Sequence, residues 1–377
     1  MRIGLETLSC DSTTGIGRIV RALAVAFIER GHEVHILTHD PGVLDEQIRV
    51  HQVTGFSRSK GLSKILFRVF EEQRLRKLNC DVVYSFGVGR CADVVAAQSC
   101  HRAGMELLDE YSLSSWEERN LGLYDMVSLG DEKALMDPLK KRRIIACSNL
   151  VKSQLVGNYS VDPDRIVVIP NGITLGETDR SAPTQALLRM EWGIGKEEKV
   201  LLFMGNEFAR KGLHIVLEAM GRVARSDLRL IVAGGGKVSP YRRLVSALRL
   251  SERVTFLGAV ENPERLFSVA DLFVFPTLYE PFGMAVLESM AAGVPVITSK
   301  TCGAVEGMEH GRHGIFLDDP ASAGDLATWI NALLADRDLY RTLSTEGRSK
   351  GGEFCWDLIA DRTLDVLDGA SMERRNP

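Results

Sequence analysis

Leu272-Phe273-Val274-Phe275 runs through a short loop into Glu280-Pro281-Phe282-Gly283-Met284-Ala285-Val286-Leu287-Glu288. The first four residues are short and apolar throughout, as a buried parallel strand should be. A helix is expected to begin near Gly283, which places Glu280 in the loop and Glu288 inside the helix, both facing a cleft. Gly283 leaves backbone N–H groups exposed for a phosphate or sugar oxygen. A buried carboxylate at Glu288 can accept two hydrogen bonds, which suits the vicinal hydroxyls of a ribose. Val286, Leu287, Met290 and Ala291 make the neighbourhood apolar, which argues against two unrelated surface acids.

The same strand-to-helix alternation extends in both directions and predicts an α/β chain with parallel sheets. In the second half, strands are expected at 200–204, 228–233, 254–257 and 294–298, with helices at 213–224, 240–248, 263–270 and 285–292. In the first half, strands are expected at 2–8, 33–38, 81–86, 94–98, 143–147 and 165–169, with a helix at 18–29. Pro170-Asn171-Gly172 interrupts any regular element. The expected division is therefore a first domain over 1–170 and a second over 171–355. A last amphipathic helix, 356–370, is expected to cross back to the first domain, with a frayed tail after Gly369.

A chain of 377 residues accommodates two such domains. Its net charge of −4 gives no whole-chain attraction to nucleic acid. No apolar run reaches the ~18 residues of a membrane span, and Met1 leads straight into a strand-like stretch without a signal-peptide pattern. The seven cysteines lie far apart, without a Cys-x-x-Cys pair, and read as free thiols of a reducing, cytoplasmic compartment. With neither a Cys/His cluster nor a paired Asp motif, no metal site and no cofactor are expected.

Three further segments could carry chemistry. Gly205-Asn206-Glu207-Phe208-Ala209-Arg210-Lys211-Gly212 follows a strand and opens a helix. Arg210 offers a planar fork and Lys211 a mobile point charge, so the pair makes a diphosphate clamp. Ser12-Thr13-Thr14-Gly15-Ile16-Gly17-Arg18 also joins a strand to a helix; Gly15 and Gly17 could admit a phosphate, or merely make a tight turn. Gly234-Gly235-Gly236 and Gly258-Ala259-Val260 end two strands, where they could let a nucleobase lie against backbone at Gly234 and Val260, or merely make packing turns. His101, directly after the strand 94–98, could contact a reacting sugar.

Taken together, TTGIGR (13–18), ERGHEV (29–34), ACSN (146–149), IPNGI (169–173), FARKG (208–212), EPFGMAVLE (280–288) and AAGVPVI (291–297) resemble the family-4 retaining glycosyltransferases. The layout from Asp81 to His101 is most similar to the lipopolysaccharide-core glucosyltransferase branch. The resemblance implies the GT-B fold, two Rossmann-like domains facing across a cleft, and a nucleotide-sugar donor, UDP-glucose in that branch. It implies that Arg210 and Lys211 hold the donor diphosphate and stabilise the leaving group, and that Glu288 binds the ribose. Glu280 would contact the donor sugar, and Phe282, Gly283 and Met284 would present backbone amides. Gly15 and Gly17 would bring the first-domain loop close to the diphosphate, and His101 would lie near the sugar. Where the branch carries a carboxylate two residues before His101, this chain has Ser99. The implied reaction retains the anomeric configuration without a metal.

Residues 58–77 hold seven Lys/Arg against two Glu. Lys60, Lys64 and Arg68 recur on one face, with Leu62, Ile65, Leu66 and Val69 opposite and Phe67 among the cations. This is expected to be a basic amphipathic helix. With a second basic patch, Lys140–Arg143, it could rest on an anionic membrane and bring the enzyme to a lipid-linked or envelope-glycan acceptor such as lipopolysaccharide core. Three competing readings share the pattern: a GDP-mannose-dependent mannosyltransferase, a sugar-nucleotide epimerase and a non-catalytic nucleotide-sugar-binding module.

Overall fold

In the computed structural model the described residues are 1–12, 14–42, 47–53, 59–111, 122–140, 142–174, 178 and 180–375. They form two compact units, one built on 1–106, 122–172 and 355–375, the other mainly on Ile173–Phe354.

The first unit carries strands β1 (Arg2–Ser9), β2 (Glu33–Asp40), β3 (Arg49–Gln52), β4 (Val82–Ser85), β5 (Val94–Ala97), β6 (Arg143–Ala146) and β7 (Ile166–Val168). All pair in parallel, in the order β3-β2-β1-β4-β5-β6-β7. Its helices are α1 (Gly15–Glu29), α2 (Lys60–Leu78), α3 (His101–Glu110), α4 (Leu123–Leu135) and α5 (Asn149–Tyr159).

The second unit holds α6 (Ala182–Glu191), β8 (Lys199–Met204), α7 (Leu213–Arg222), β9 (Leu228–Ala233), α8 (Ser239–Ala247), β10 (Val254–Gly258), α9 (Glu264–Val269), β11 (Leu272–Phe275), α10 (Met284–Ala291), β12 (Val296–Ser299), β13 (Ile315–Leu317), α11 (Ala323–Ala335) and α12 (Arg337–Gly352). Its sheet, again parallel, has the order β10-β9-β8-β11-β12-β13. In both sheets the chain order reverses beside the first strand, between β1 and β4 and between β8 and β11. Loops leaving the carboxyl ends of those strand pairs diverge there and leave a crevice, the usual ligand position in doubly wound sheets.

The expected elements are present, with bounds shifted by up to three residues, but the end of the chain differs. Helix α13 (Trp356–Arg375) continues six residues past Gly369 rather than fraying. Its last turn is tied to the amino ends of β4, β5 and β6 in the middle of the first unit's sheet: Arg374 Nη1 lies 2.8 Å from Asp93 Oδ2, Arg375 Nη2 lies 2.6 Å from Asp81 Oδ1, and Glu373 pairs with Arg143. At its start, the Trp356 ring covers Gly172 so closely that a Cβ there would meet it at 2.6 Å.

The basic helix is also turned over relative to expectation. Phe67, expected to be exposed, is fully buried with Leu37, Val53 and Val88. Lys64 is buried as well, whereas Leu62, Val69 and Phe70 face outward. The cause is Asp131 on α4, itself 1% exposed, which draws Arg68 (3.1 Å), Arg90 (3.5 Å) and Lys64 (3.7 Å) inward. Lys64 Nζ also donates to Ser128 Oγ (3.0 Å) and the Gly87 carbonyl (3.2 Å). Satisfying a buried carboxylate outweighs hiding an apolar stripe, because an unpaired charge in the interior costs several kcal/mol. Residues 58 and 141 of the two basic patches lie outside the described residues. Among the described residues no helix is long and apolar enough to cross a membrane.

Two more carboxyls are buried beside this network. Glu6 on β1 and Glu71 on α2 flank the loop after β4. A side chain at Gly89 would begin 2.2 Å from Glu6 Oε2 and 2.7 Å from Glu71 Oε1, so only glycine passes between them. Glu71 accepts the N–H groups of Arg90 (2.6 Å) and Cys91 (2.5 Å). Burial, and then the Glu71 charge, push the Glu6 carboxyl well above the ordinary 4.5. A carboxyl raised on folding holds its proton where the unfolded chain has lost it. Its contribution to stability is therefore intact in acid and erodes as pH rises above the unfolded value. Glu6→Gln removes that erosion. In urea denaturation the difference between variant and wild type should move in favour of the glutamine by about 1–3 kcal/mol between pH ~5 and pH ~8. A pH-independent difference would mean that Glu6 ionises normally in the folded protein.

Candidate functional site

The second unit's switch point brings together residues from two loops. After β8 the chain turns at Gly205, with φ +149°, and at Gly212, with φ +80°. A Cβ on Gly205 would sit 2.3 Å from the Lys211 Cδ, so the lysine stem lies directly on that glycine. Gly234 ends β9 against the Gly205 carbonyl, where a Cβ would come within 1.8 Å. Its N–H donates to the Gly258 carbonyl at 2.7 Å. The strand-end glycines are thus consumed in stacking one turn on the next. Val260 is half-buried just beyond.

Arg210 staples the two loops. Its carbonyl accepts the Leu278 N–H (2.9 Å) and the Thr277 hydroxyl (3.2 Å). Its guanidinium donates to the Tyr279 carbonyl and reaches Glu280 Oε2 at 3.4 Å. On the other side, Nε and Nη2 donate to Glu207 Oε2 at 3.1 and 2.6 Å. Lys211 Nζ donates to the same Glu280 oxygen at 2.8 Å and stands 4.7 Å above the centre of the Phe275 ring. That cation–π contact fixes the ammonium at the end of β11.

Glu280 is consequently buried between two cations. Burial alone would raise its carboxyl, but Lys211 and then Arg210 override this and hold it below the ordinary range. Burial likewise opposes the Arg210 charge, and Glu280 and Glu207 more than compensate, raising it further. The Glu280 backbone is bound too: its N–H donates to the Thr301 carbonyl (3.2 Å) and its carbonyl accepts the Gly303 N–H (2.9 Å). Phe282 O accepts from Ala304 N–H and Cys302 Sγ. Gly283 has φ +103°, and a Cβ there would strike Cys302 Sγ at 2.7 Å. This tight corner starts α10 at Met284, and the amides leading a helix lack intrahelical partners and favour anions. Glu288 sits half-buried one turn into α10.

In the first unit, Gly17 is required by its own turn: a Cβ would fall 2.0 Å from the Asp11 carbonyl oxygen, and the Gly17 N–H is taken by Thr14 Oγ1 at 3.1 Å. Gly15 is exposed at the start of α1. Thr13 lies outside the described residues. His101 opens α3. Its backbone N–H donates to Glu132 Oε1 (2.6 Å), and its ring nitrogen Nε2 is 3.3 Å from Asp125 Oδ1. Glu132 also accepts the Tyr159 hydroxyl at 2.5 Å.

The structure thus unites Arg210, Lys211 and Glu280 in one cluster and adds Glu207, Phe275 and the Tyr279 carbonyl, which the sequence reading did not assign. Glu207 had a visible signal, a carboxylate three residues before an arginine in a turn. Asp125 and Glu132 had none, being tens of residues from His101.

Residues 185–350 match the family described as Glycosyl transferases group 1, and residues 13–177 match Glycosyltransferase Family 4. An uncharacterized glycosyltransferase of Methanocaldococcus jannaschii is 28% identical over 373 residues, 93% of each chain. A D-inositol 3-phosphate glycosyltransferase of Nocardia farcinica is 32% identical over 244 residues, 61% of this chain and 53% of that protein. Of this and similar relatives the chain spans about half the length. Among solved structures, WaaG, a glycosyltransferase involved in lipopolysaccharide biosynthesis, superposes with a TM-score of 0.83 at 21% identity, covering 97% of this chain and 100% of that one. Anabaena HepE in complex with UDP and glucose superposes with a TM-score of 0.75 at 19% identity, covering 98% and 100%. These neighbours share the expected fold class, GT-B, with two Rossmann-like α/β domains.

Glu280→Gln leaves two buried cations without a full counter-charge. It should cost about 2–4 kcal/mol in urea denaturation at neutral pH. The wild type gains this contribution above its unfolded carboxylate value, ordinarily 4.5, and loses it as pH falls through the lower folded value. The variant should therefore differ least in acid. Equal stability at neutral pH would show that the cations do not depend on Glu280.

Proposed function

We propose that this chain, a glycosyltransferase with a family-4 N-terminal domain and a group 1 C-terminal domain, moves a hexose from a nucleotide-sugar to a cell-envelope glycan or lipid-linked acceptor, with retention at the anomeric carbon and without a metal. The observation that carries the reading is the pinned pair Arg210–Lys211 at the switch point, sharing the buried Glu280. A sugar leaves a nucleotide-sugar only if the charge growing on the departing diphosphate is neutralised. Two fixed cations and the leading amides of α10 supply that neutralisation without reorganising. Lys211 keeps N–H groups beyond the one given to Glu280, and so is the natural contact for the diphosphate. Glu280 accepts hydrogen bonds from the donor sugar, Glu288 from the ribose, and His101, held at Asp125, lies on the acceptor-side domain. Gly15, Gly283, Met284 and Val260 contribute backbone to the donor.

The donor we assign is UDP-glucose. The sequence layout of 81–101 supports it, and it accords with the UDP and glucose bound in the HepE structure and the lipopolysaccharide role of WaaG. The acceptor would be reached at the inner face of the cytoplasmic membrane. The surface available for this is the outward face of α2, where Leu62, Val69 and Phe70 are exposed among Lys60, Arg74, Arg76 and Lys77. An apolar stripe flanked by cations suits anionic headgroups.

Two measurements test these assignments. Calorimetry should show UDP binding to the wild type, weakened about 10²-fold in Lys211→Ala. Preferential GDP binding would instead identify a mannosyltransferase, and binding without transfer or hydrolysis across donors would identify a binding module. Co-sedimentation with anionic vesicles should be lost in Val69→Asp/Phe70→Asp; binding that persists in this variant would move the membrane surface elsewhere.

A further inference from the structure

Arg210 is more heavily engaged than a phosphate clamp requires. Four of its five N–H groups are directed to protein oxygens: two to Glu207, one to the Tyr279 carbonyl and one to Glu280. The guanidinium side chain is 13% exposed, whereas the Glu207 side chain is 42% exposed at the rim. The two cations Arg210 and Lys211 are therefore matched by two carboxylates, Glu207 and Glu280, and the four charges cancel. A clamp for an anion would bind it more strongly without the second carboxylate. The Glu207 carbonyl also accepts the Lys211 N–H at 3.0 Å, a backbone bond that needs no charge on the Glu207 side chain.

The chemistry of the reaction gives that carboxylate a use. As the bond between the anomeric carbon and the diphosphate oxygen breaks, the electron pair stays with the oxygen. The acceptor oxygen forms the new bond, and its proton passes to the departing diphosphate oxygen. The terminal phosphate of the released nucleoside diphosphate ionises with a pKa of about 6, so above that pH the product carries one more negative charge than the donor. A clamp with net positive charge would hold the product more tightly than the donor and stall. We propose that Glu207 is a positioning and charge-balancing residue that keeps the Arg210–Lys211 clamp neutral, so that the nucleoside diphosphate is released rather than retained over a fresh donor. The proposal rests on the nucleotide-sugar reading above.

The test is calorimetric titration of UDP and of UDP-glucose into wild type, Glu207→Gln and Glu207→Asp at pH ~8, with UDP inhibition measured in steady-state transfer. In Glu207→Gln, UDP should bind about tenfold tighter and UDP-glucose only about threefold tighter, with kcat reduced and product inhibition increased. The excess gain for UDP should shrink as salt rises. Glu207→Asp should restore the wild-type ratio of the two affinities. A structural role alone would weaken both ligands in proportion, and that result, or an unchanged ratio, overturns the proposal. If the wild type binds neither UDP nor any other nucleoside diphosphate, the nucleotide-sugar reading fails, and this inference with it.

Discussion

Two adjacent cations cannot be seated at the end of a buried strand unless something answers their charge. Glu280 meets that demand in the second unit. One carboxylate oxygen takes Lys211 at 2.8 Å and Arg210 at 3.4 Å, and the rest of the site follows from holding it there. The loop bearing Glu280 is clamped through its backbone to 301–304, the corner at Gly283 is closed against Cys302, and Arg210 ties the loop after β8 to the loop after β11. A carboxylate this buried is tolerable only because both cations are fixed. Lys211 is fixed over the Phe275 ring, itself packed on Phe203 and Phe273, and Arg210 is fixed by Glu207 and the Tyr279 carbonyl.

The sheet order explains why this cluster forms at one place. With β8 central and the chain reversing between β9 and β11, only the loops leaving β8 and β11 open away from each other, side by side. Arg210-Lys211 and Glu280 lie about seventy residues apart in sequence, yet sit on neighbouring strand ends. The first unit repeats the same order on its own sheet. Its equivalent crevice is bordered by the turn at Gly17 and by the Gly87–Cys91 loop after β4, pressed against Glu6 and Glu71.

Buried charge shapes the first unit as much as apolar burial does. Asp131 collects three cations and thereby decides which face of α2 packs inward. Periodicity alone points to Leu62, Ile65, Leu66 and Val69 as the core stripe. The structure buries Phe67 and Lys64 instead and leaves Leu62 and Val69 at the surface. The Lys64 stem supplies apolar packing while its head is satisfied by a carboxylate, a hydroxyl and a carbonyl, so the helix loses little by the exchange.

Much of the fold was legible from the chain itself. Short apolar runs alternating with helical periods announce parallel sheets, because strands covered on both faces need no polar alternation. The same alternation places Arg210-Lys211 in the loop after β8 and Glu280 and Gly283 in the loop after β11, because the strands and helices on either side are legible from their apolar periods. The remainder depended on long-range pairing. That Glu207 pairs with Arg210, that α2 turns its cations toward Asp131, and that the last turn of α13 docks on Asp81 and Asp93 are outcomes of charge meeting charge across the fold. A one-dimensional pattern records which residues are apolar or ionic. It does not record which ionic residue will find a partner once the backbone is folded, and a paired charge can lie inside where an unpaired one cannot.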